Sequence, residues 1–147
     1  MAKGAGALLL AVALLGCSRE SPGPDPAVGF NPTFSDALVA ERSQLVLDLM
    51  PRLQCGETPC AAATEEERRS GMIPMEDARA VFRQGLLSQL RECAGRDWER
   101  EGFLPLMYNW RHVRKAPVRQ LAFVGALHGS GMSAALQSMG GSCPKNS

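Results

Sequence analysis

Pro74 to Ala94 reads PMEDARAVFRQGLLSQLRECA, and this stretch decides the fold. Met75, Ala78, Val81, Phe82, Leu86, Leu90 and Cys93 recur at steps of three and four, which places them along one face of an α-helix. A proline stands at the start, where its missing N–H is no loss. Gly95 follows the last turn, where a residue able to take left-handed φ closes a helix. The spacing predicts the strongest helix of the chain here, with Cys93 on or beside its buried stripe.

The same period extends in both directions. Upstream, Leu38, Val39, Leu45, Val46, Leu49, Met50 and Leu53 predict a helix over about 35–50, stopped by Pro51. Thr33 and Asp36 have the spacing of a capping box, with Asp in place of the usual Glu or Gln. Thr58 is read as the cap of a short helix from Pro59 to Arg69, ended by Gly71. Its Glu65, Glu66 and Glu67 precede Arg68 and Arg69, which suits the helix dipole. Those glutamates also suit a cation or a basic partner, but a solvated face is the simpler reading. Downstream, Asp97 to Leu104 reads as a turn or short helix. Pro105 opens a helix carrying Leu106, Met107, Trp110 and Val113. Pro117 opens the next, with Val118, Leu121, Ala122, Val124 and Gly125 inward and Gly129 as its end. Ser130 then caps a last short helix holding Met132, Ala135, Leu136 and Met139, closed by Gly140 and Gly141. No run reads as a strand, and no internal repeat is present.

The expected fold class is therefore all-α: a small compact domain of four to six helices. Composition agrees. Hydrophobic residues make up 45% and charged residues 21% of the 147-residue chain, which is globular rather than disordered. Aromatics are only 5%, so Leu, Val, Ala and Met must build the core, and scarce β-branched residues disfavour a sheet. A net charge of +1 supplies no field that would steer the protein to nucleic acid.

The N-terminus has a different character. Met1 to Lys3 is short and basic, and Ala5 to Leu15 (AGALLLAVALL) is apolar. That run is well short of the about 20 residues that span a bilayer as a helix, and it fits the hydrophobic region of a signal peptide. Leu14-Leu15-Gly16-Cys17 resembles the lipobox of bacterial lipoproteins, in which an aliphatic residue, a tolerant position and a small residue precede an invariant cysteine. The resemblance implies transfer of diacylglycerol to the Cys17 thiol, cleavage before Cys17 and acylation of the new amine. It covers only this leader. Ser18 follows, where relatives retained in the inner membrane often carry Asp, so the implied site is the outer membrane, facing the periplasm. Residues 1–16 are then a signal peptide. Residues 17–33 are a lipidated N-terminus and a tether, in which Pro22, Pro24, Pro26 and Pro32 favour a semi-extended chain reaching up to roughly 50 Å. Residues 34–147 form the helical domain.

Beyond the cytoplasm thiols oxidise in pairs. Removing Cys17 leaves Cys55, Cys60, Cys93 and Cys143, an even set with three possible connectivities. Cys55–Cys60 and Cys93–Cys143 are favoured. The first pair flanks a Gly/Pro turn, and the second would pin the C-terminal tail to the central helix. Zinc and redox sites prefer the closer CxxC spacing.

Chemistry is thinly signalled. His112 and His128 are the only histidines and do not share a helix face with a third ligand, so neither a metal site nor a cofactor is expected. Ser130 beside His128 lacks the glycines of a nucleophile elbow. Glu99 and Glu101 flank a bend near Trp98, but alternation with arginine reads as a surface ion-pair strip. The sparse aromatics and the basic charge coincide only in Tyr108-Asn-Trp-Arg-His-Val-Arg-Lys115. Tyr, Trp and Arg are enriched at binding hot spots, which nominates Tyr108, Trp110, Arg111, Arg114, Lys115 and Arg119 as a partner-binding patch. It suits an acidic protein surface, anionic head groups or a phosphorylated glycan. The competing reading is a helix with Trp110 in the core and its arginines in water. The leading expectation is a non-enzymatic, membrane-anchored module that binds another protein, as inhibitors, immunity proteins and small parts of envelope or secretion assemblies do. The alternatives are a small hydrolase of cell wall or lipid, acting through Glu99, Glu101 or Ser130, and a structural lipoprotein binding peptidoglycan or lipopolysaccharide.

Overall fold

The computed structural model describes residues 21–145. It is mostly helical, with five α-helices and both expected disulfides. The signal segment and Cys17 lie outside the described residues.

Helix α1 (Asp36–Leu49) begins at Ser35, whose Oγ accepts from the Leu38 N–H at 3.1 Å. Ser35 therefore caps it, not Thr33. Its buried residues are Val39, Ser43, Val46, Leu47 and Met50, an i, i+4, i+7, i+8, i+11 face. Leu45 and Leu49, expected inward, are exposed, because the polar Ser43 hid the true stripe. A 3₁₀ turn (Met50–Arg52) carries Pro51 and ends the helix.

Two short strands follow, β1 (Gln54–Cys55) and β2 (Thr58–Pro59), paired antiparallel with Cys55 opposite Thr58. The expectation of no strand is corrected here. Gly56, at φ +76°, makes the tight reversal, and the Cys55–Cys60 disulfide closes it with 4.9 Å between α-carbons. Thr58 is thus a strand residue rather than a cap. The short helix α2 (Glu65–Ser70) starts later, at a full capping box. Glu67 N–H donates to Thr64 Oγ1 at 3.1 Å and Thr64 N–H to Glu67 Oε2 at 2.8 Å. Gly71 ends it as expected.

Helix α3 (Met75–Cys93) is the expected central element, and Gly95 follows at φ +70°. It packs most extensively against α5 (Val118–Ser138). Helix α5 is one unbroken rod, where a stop at Gly129 and a new start at Ser130 were expected. Tertiary packing overrides helix propensity: Gly131 is buried against Gly85 of α3, and this contact carries the helix through its own weak point. Phe82, Phe123, Leu47, Met50, Leu127 and Val124 form the centre of the core.

Between α3 and α5 the chain follows a continuous helical path through Pro105. Two π turns, Glu99–Phe103 and Asn109–Val113, flank helix α4 (Leu104–Tyr108). Proline removes a donor and crowds the carbonyl four residues back. The wider π turn before it absorbs this, with Leu104 N–H donating to Glu99 O across five residues. Proline was read as a boundary; here it sits inside a helix that has been locally unwound.

The segment before α1 is held on the body. Arg91 grips the Asp25 carboxylate with Nε at 3.2 Å and Nη2 at 3.0 Å, and Arg96 donates to the Gly23 carbonyl. Phe34 packs edge-on against Phe82 with centroids 5.3 Å apart. The Cys93–Cys143 disulfide ties the C-terminal tail to the same end of α3.

Candidate functional site

The stretch from Leu104 to Val118 presents the most concentrated exposed apolar surface on the described chain. Leu104, Tyr108, Val113 and Val118 are each at least half exposed, Tyr108 at 64% and Val113 at 65%. In a regular α-helix a residue five positions after Tyr108 would turn away from it. The π turn over Asn109–Val113 has a longer period, so Val113 stays on the side of Leu104 and Tyr108. Arg111, His112 and Lys115 are exposed beside them, and the His112 ring lies 4.6 Å from Tyr108. Arg111 and Lys115 form no ion pair among the described residues.

The six residues nominated from sequence separate into three groups. Tyr108, Arg111 and Lys115 lie on this outer strip. Trp110 points the other way, 5% exposed and part of the core. Arg114 lies over the Trp110 ring at 4.4 Å and pairs with Asp77 of α3 at 2.7 Å, which raises its pKa. Arg119 staples the loop before α2. It binds Glu67 through Nε at 2.8 Å and Nη2 at 2.7 Å, and donates to the carbonyls of Ala61 and Ala62. That pair, with the Thr64 N–H, holds the Glu67 carboxyl down at about 2.

Lys115 has φ +56°, a left-handed conformation rare without glycine. It stands where a helix-closing glycine is usual, and the Ala116 N–H returns to Trp110 O at 3.0 Å. Retaining lysine there costs about 1 kcal/mol of backbone strain and places a cation at the tip of the strip.

Behind the strip, α4 and its two π turns form one wall of a polar cleft of about 500 Å³, and α3 forms the other. Asp77, Gln84, Arg91, Glu101, Asn109 and Arg114 face it, with balanced charge. Glu101 belongs to an ion-pair cluster, 2.8 Å from Arg96 and 3.7 Å from Arg91, while Glu99 is exposed.

His128 does not meet Ser130. Its Nε2 shares a hydrogen bond of 2.9 Å with Ser88 Oγ, and its ring stacks on Trp98 at 6.0 Å and contacts Phe103 at 5.0 Å. Burial holds its pKa down at about 4. Ser88 is fully buried, so this pair has no face open to a substrate. No spacing in the sequence links Ser88 to His128, forty residues apart; only the α3–α5 crossing brings them together. Of the glutamates in the first turn of α2, Glu66 pairs with Arg69 and Ser70, and Glu67 with Arg119. Among the described residues no three His, Cys, Asp or Glu side chains cluster as metal ligands, and no helix is long and apolar enough to cross a membrane.

Comparison with known proteins is silent: no family model matches the chain, and no match was found among curated proteins or solved structures.

Proposed function

We propose that this chain is a lipid-anchored protein of the bacterial envelope, held in the outer membrane through Cys17, whose domain is a non-enzymatic module that binds another protein. The observation that carries the reading is the strip of Leu104, Tyr108 and Val113 edged by Arg111 and Lys115. Apolar side chains at such exposure lose contact with water when a partner covers them, and that burial supplies affinity. Two cations that form no ion pair among the described residues favour an acidic partner surface and set its orientation. An inhibitor or immunity protein, or a small component of an envelope or secretion assembly, would use such a face.

The test is recovery of a stoichiometric partner by the acylated protein, compared with a Tyr108→Ala/Arg111→Ala double variant. Both residues are exposed, so the fold should persist while capture is lost. Equal capture by both proteins would remove the strip from the interface. Mass spectrometry of the cell-derived protein checks the anchor separately, since an unacylated Cys17 is incompatible with it.

A further inference from the structure

The point where the N-terminal segment meets the body and the exposed strip lie at opposite ends of α3. The chain leaves the body at Gly23 and Asp25, which Arg96 and Arg91 hold at the C-terminal end of α3. The path from Glu99 to Arg114 runs antiparallel to α3. Glu101 sits at Arg96 and Arg91, Gly102 packs beside Ser88 and Gln84, and Arg114 reaches Asp77 in the first turn of α3. From Arg91 back to Asp77 is fourteen helical residues, or about 21 Å along the axis. Arg111, Val113 and Lys115 therefore stand at the end remote from the point where the N-terminal segment enters. Only six residue steps separate Cys17 from Gly23, a reach of at most about 20 Å even when fully drawn out.

Resting on the lipid-anchor reading, we infer that the domain has a fixed polarity on the membrane. The Arg91–Arg96 end faces the bilayer, and the Tyr108–Lys115 strip faces away, toward a partner in the aqueous space. The Asp25–Arg91 pair is what shortens the leash. Without it the free segment extends toward Phe34, and the body turns more freely. The strip's cations then meet the acidic surface of a protein beyond the bilayer and not the anionic head groups of the membrane that holds the chain.

The test places a fluorophore on a single introduced cysteine, Arg100→Cys or Lys115→Cys, in the full acylated protein with its disulfides formed. Each is bound to phospholipid vesicles carrying a head-group-depth quencher. Arg100 and Lys115 are both exposed and lie at opposite ends of the domain. The label at 115 should be quenched several-fold less than the label at 100, and Asp25→Asn should narrow that difference. Equal quenching at the two positions, or stronger quenching at 115, overturns the polarity and returns the strip to the lipid surface. Protein that fails to bind the vesicles and proves unacylated at Cys17 removes the anchor itself. That result is told apart from a failed polarity by the mass of the N-terminal peptide.

Discussion

Gly85 and Gly131 face one another where α3 and α5 cross. A Cβ on Gly131 would stand 3.1 Å from the Gly85 α-carbon, and one on Gly85 would stand 2.9 Å from the Gly131 α-carbon while striking the His128 carbonyl. The obstructing atoms are backbone, which cannot swing aside. Gly131→Ala should therefore destabilise the fold by about 2–3 kcal/mol, the cost of overpacking a close contact. The denaturant midpoint reads this directly, and an unchanged midpoint would show that the helices do not cross at these glycines.

Gly129 is the contrasting case. It lies in the same helix but is exposed, and a Cβ there meets nothing within 4 Å. Gly129→Ala should stabilise by up to about 1 kcal/mol, because alanine loses less backbone freedom in a helix. Had the helix ended at this residue, as the sequence suggested, alanine would have been unfavourable. The sign of the change thus distinguishes one long helix from two short ones.

Acid should weaken the fold in two steps. His128 is held neutral down to about pH 4 by burial, while in the unfolded chain it takes up a proton below about 6.5. Its contribution is complete above pH 6.5 and is lost as the pH falls toward 4, by at most about 3 kcal/mol. Glu67, held at about 2 by Arg119, acts lower: its contribution is present above pH 4.5 and lost as the pH falls through 2. Denaturant midpoints measured between pH 7 and 4 should fall for the natural protein. For His128→Gln, which retains an amide to meet Ser88, they should stay nearly flat over that window.

Lys115→Gly should raise stability by about 1 kcal/mol through relief of the left-handed backbone, less what glycine adds to the freedom of the unfolded chain. In the same variant, capture of the partner should weaken. Stability and binding moving in opposite directions is the signature of a residue kept for its charge at a position that suits glycine. Movement in the same direction would make Lys115 a structural residue only.

Replacing Cys93 and Cys143 by alanine should cost at most about 4 kcal/mol, since their bond closes a loop of 50 residues. The tail after Ser138 should become susceptible to carboxypeptidase, and a tail that stays resistant would mean other contacts hold it.

Much of this fold was legible in the chain alone. Pro74 to Gly95 announces α3 because its apolar positions follow the helical period and its ends carry the residues that start and stop a helix. The sequence left three pairings of the four cysteines open, and the one that loop geometry favoured is the one formed. Exposure at Tyr108, Arg111 and Lys115 was also within reach, because local composition marks a surface rich in contact-forming side chains. Tertiary structure alone decided the rest. A polar residue on a buried face, such as Ser43 or Ser88, has no signature in hydropathy. Gly129 reads as a break in the chain alone, and the close packing of Gly131 on Gly85 is what carries the helix past it. Trp110 facing inward was one of two readings open to the sequence, but the outward placement of Val113 depends on the π turn over Asn109–Val113, which local periodicity does not signal. Local periodicity sets which segments coil; the close packing of coils against one another sets where each ends, which face it hides and which residues meet.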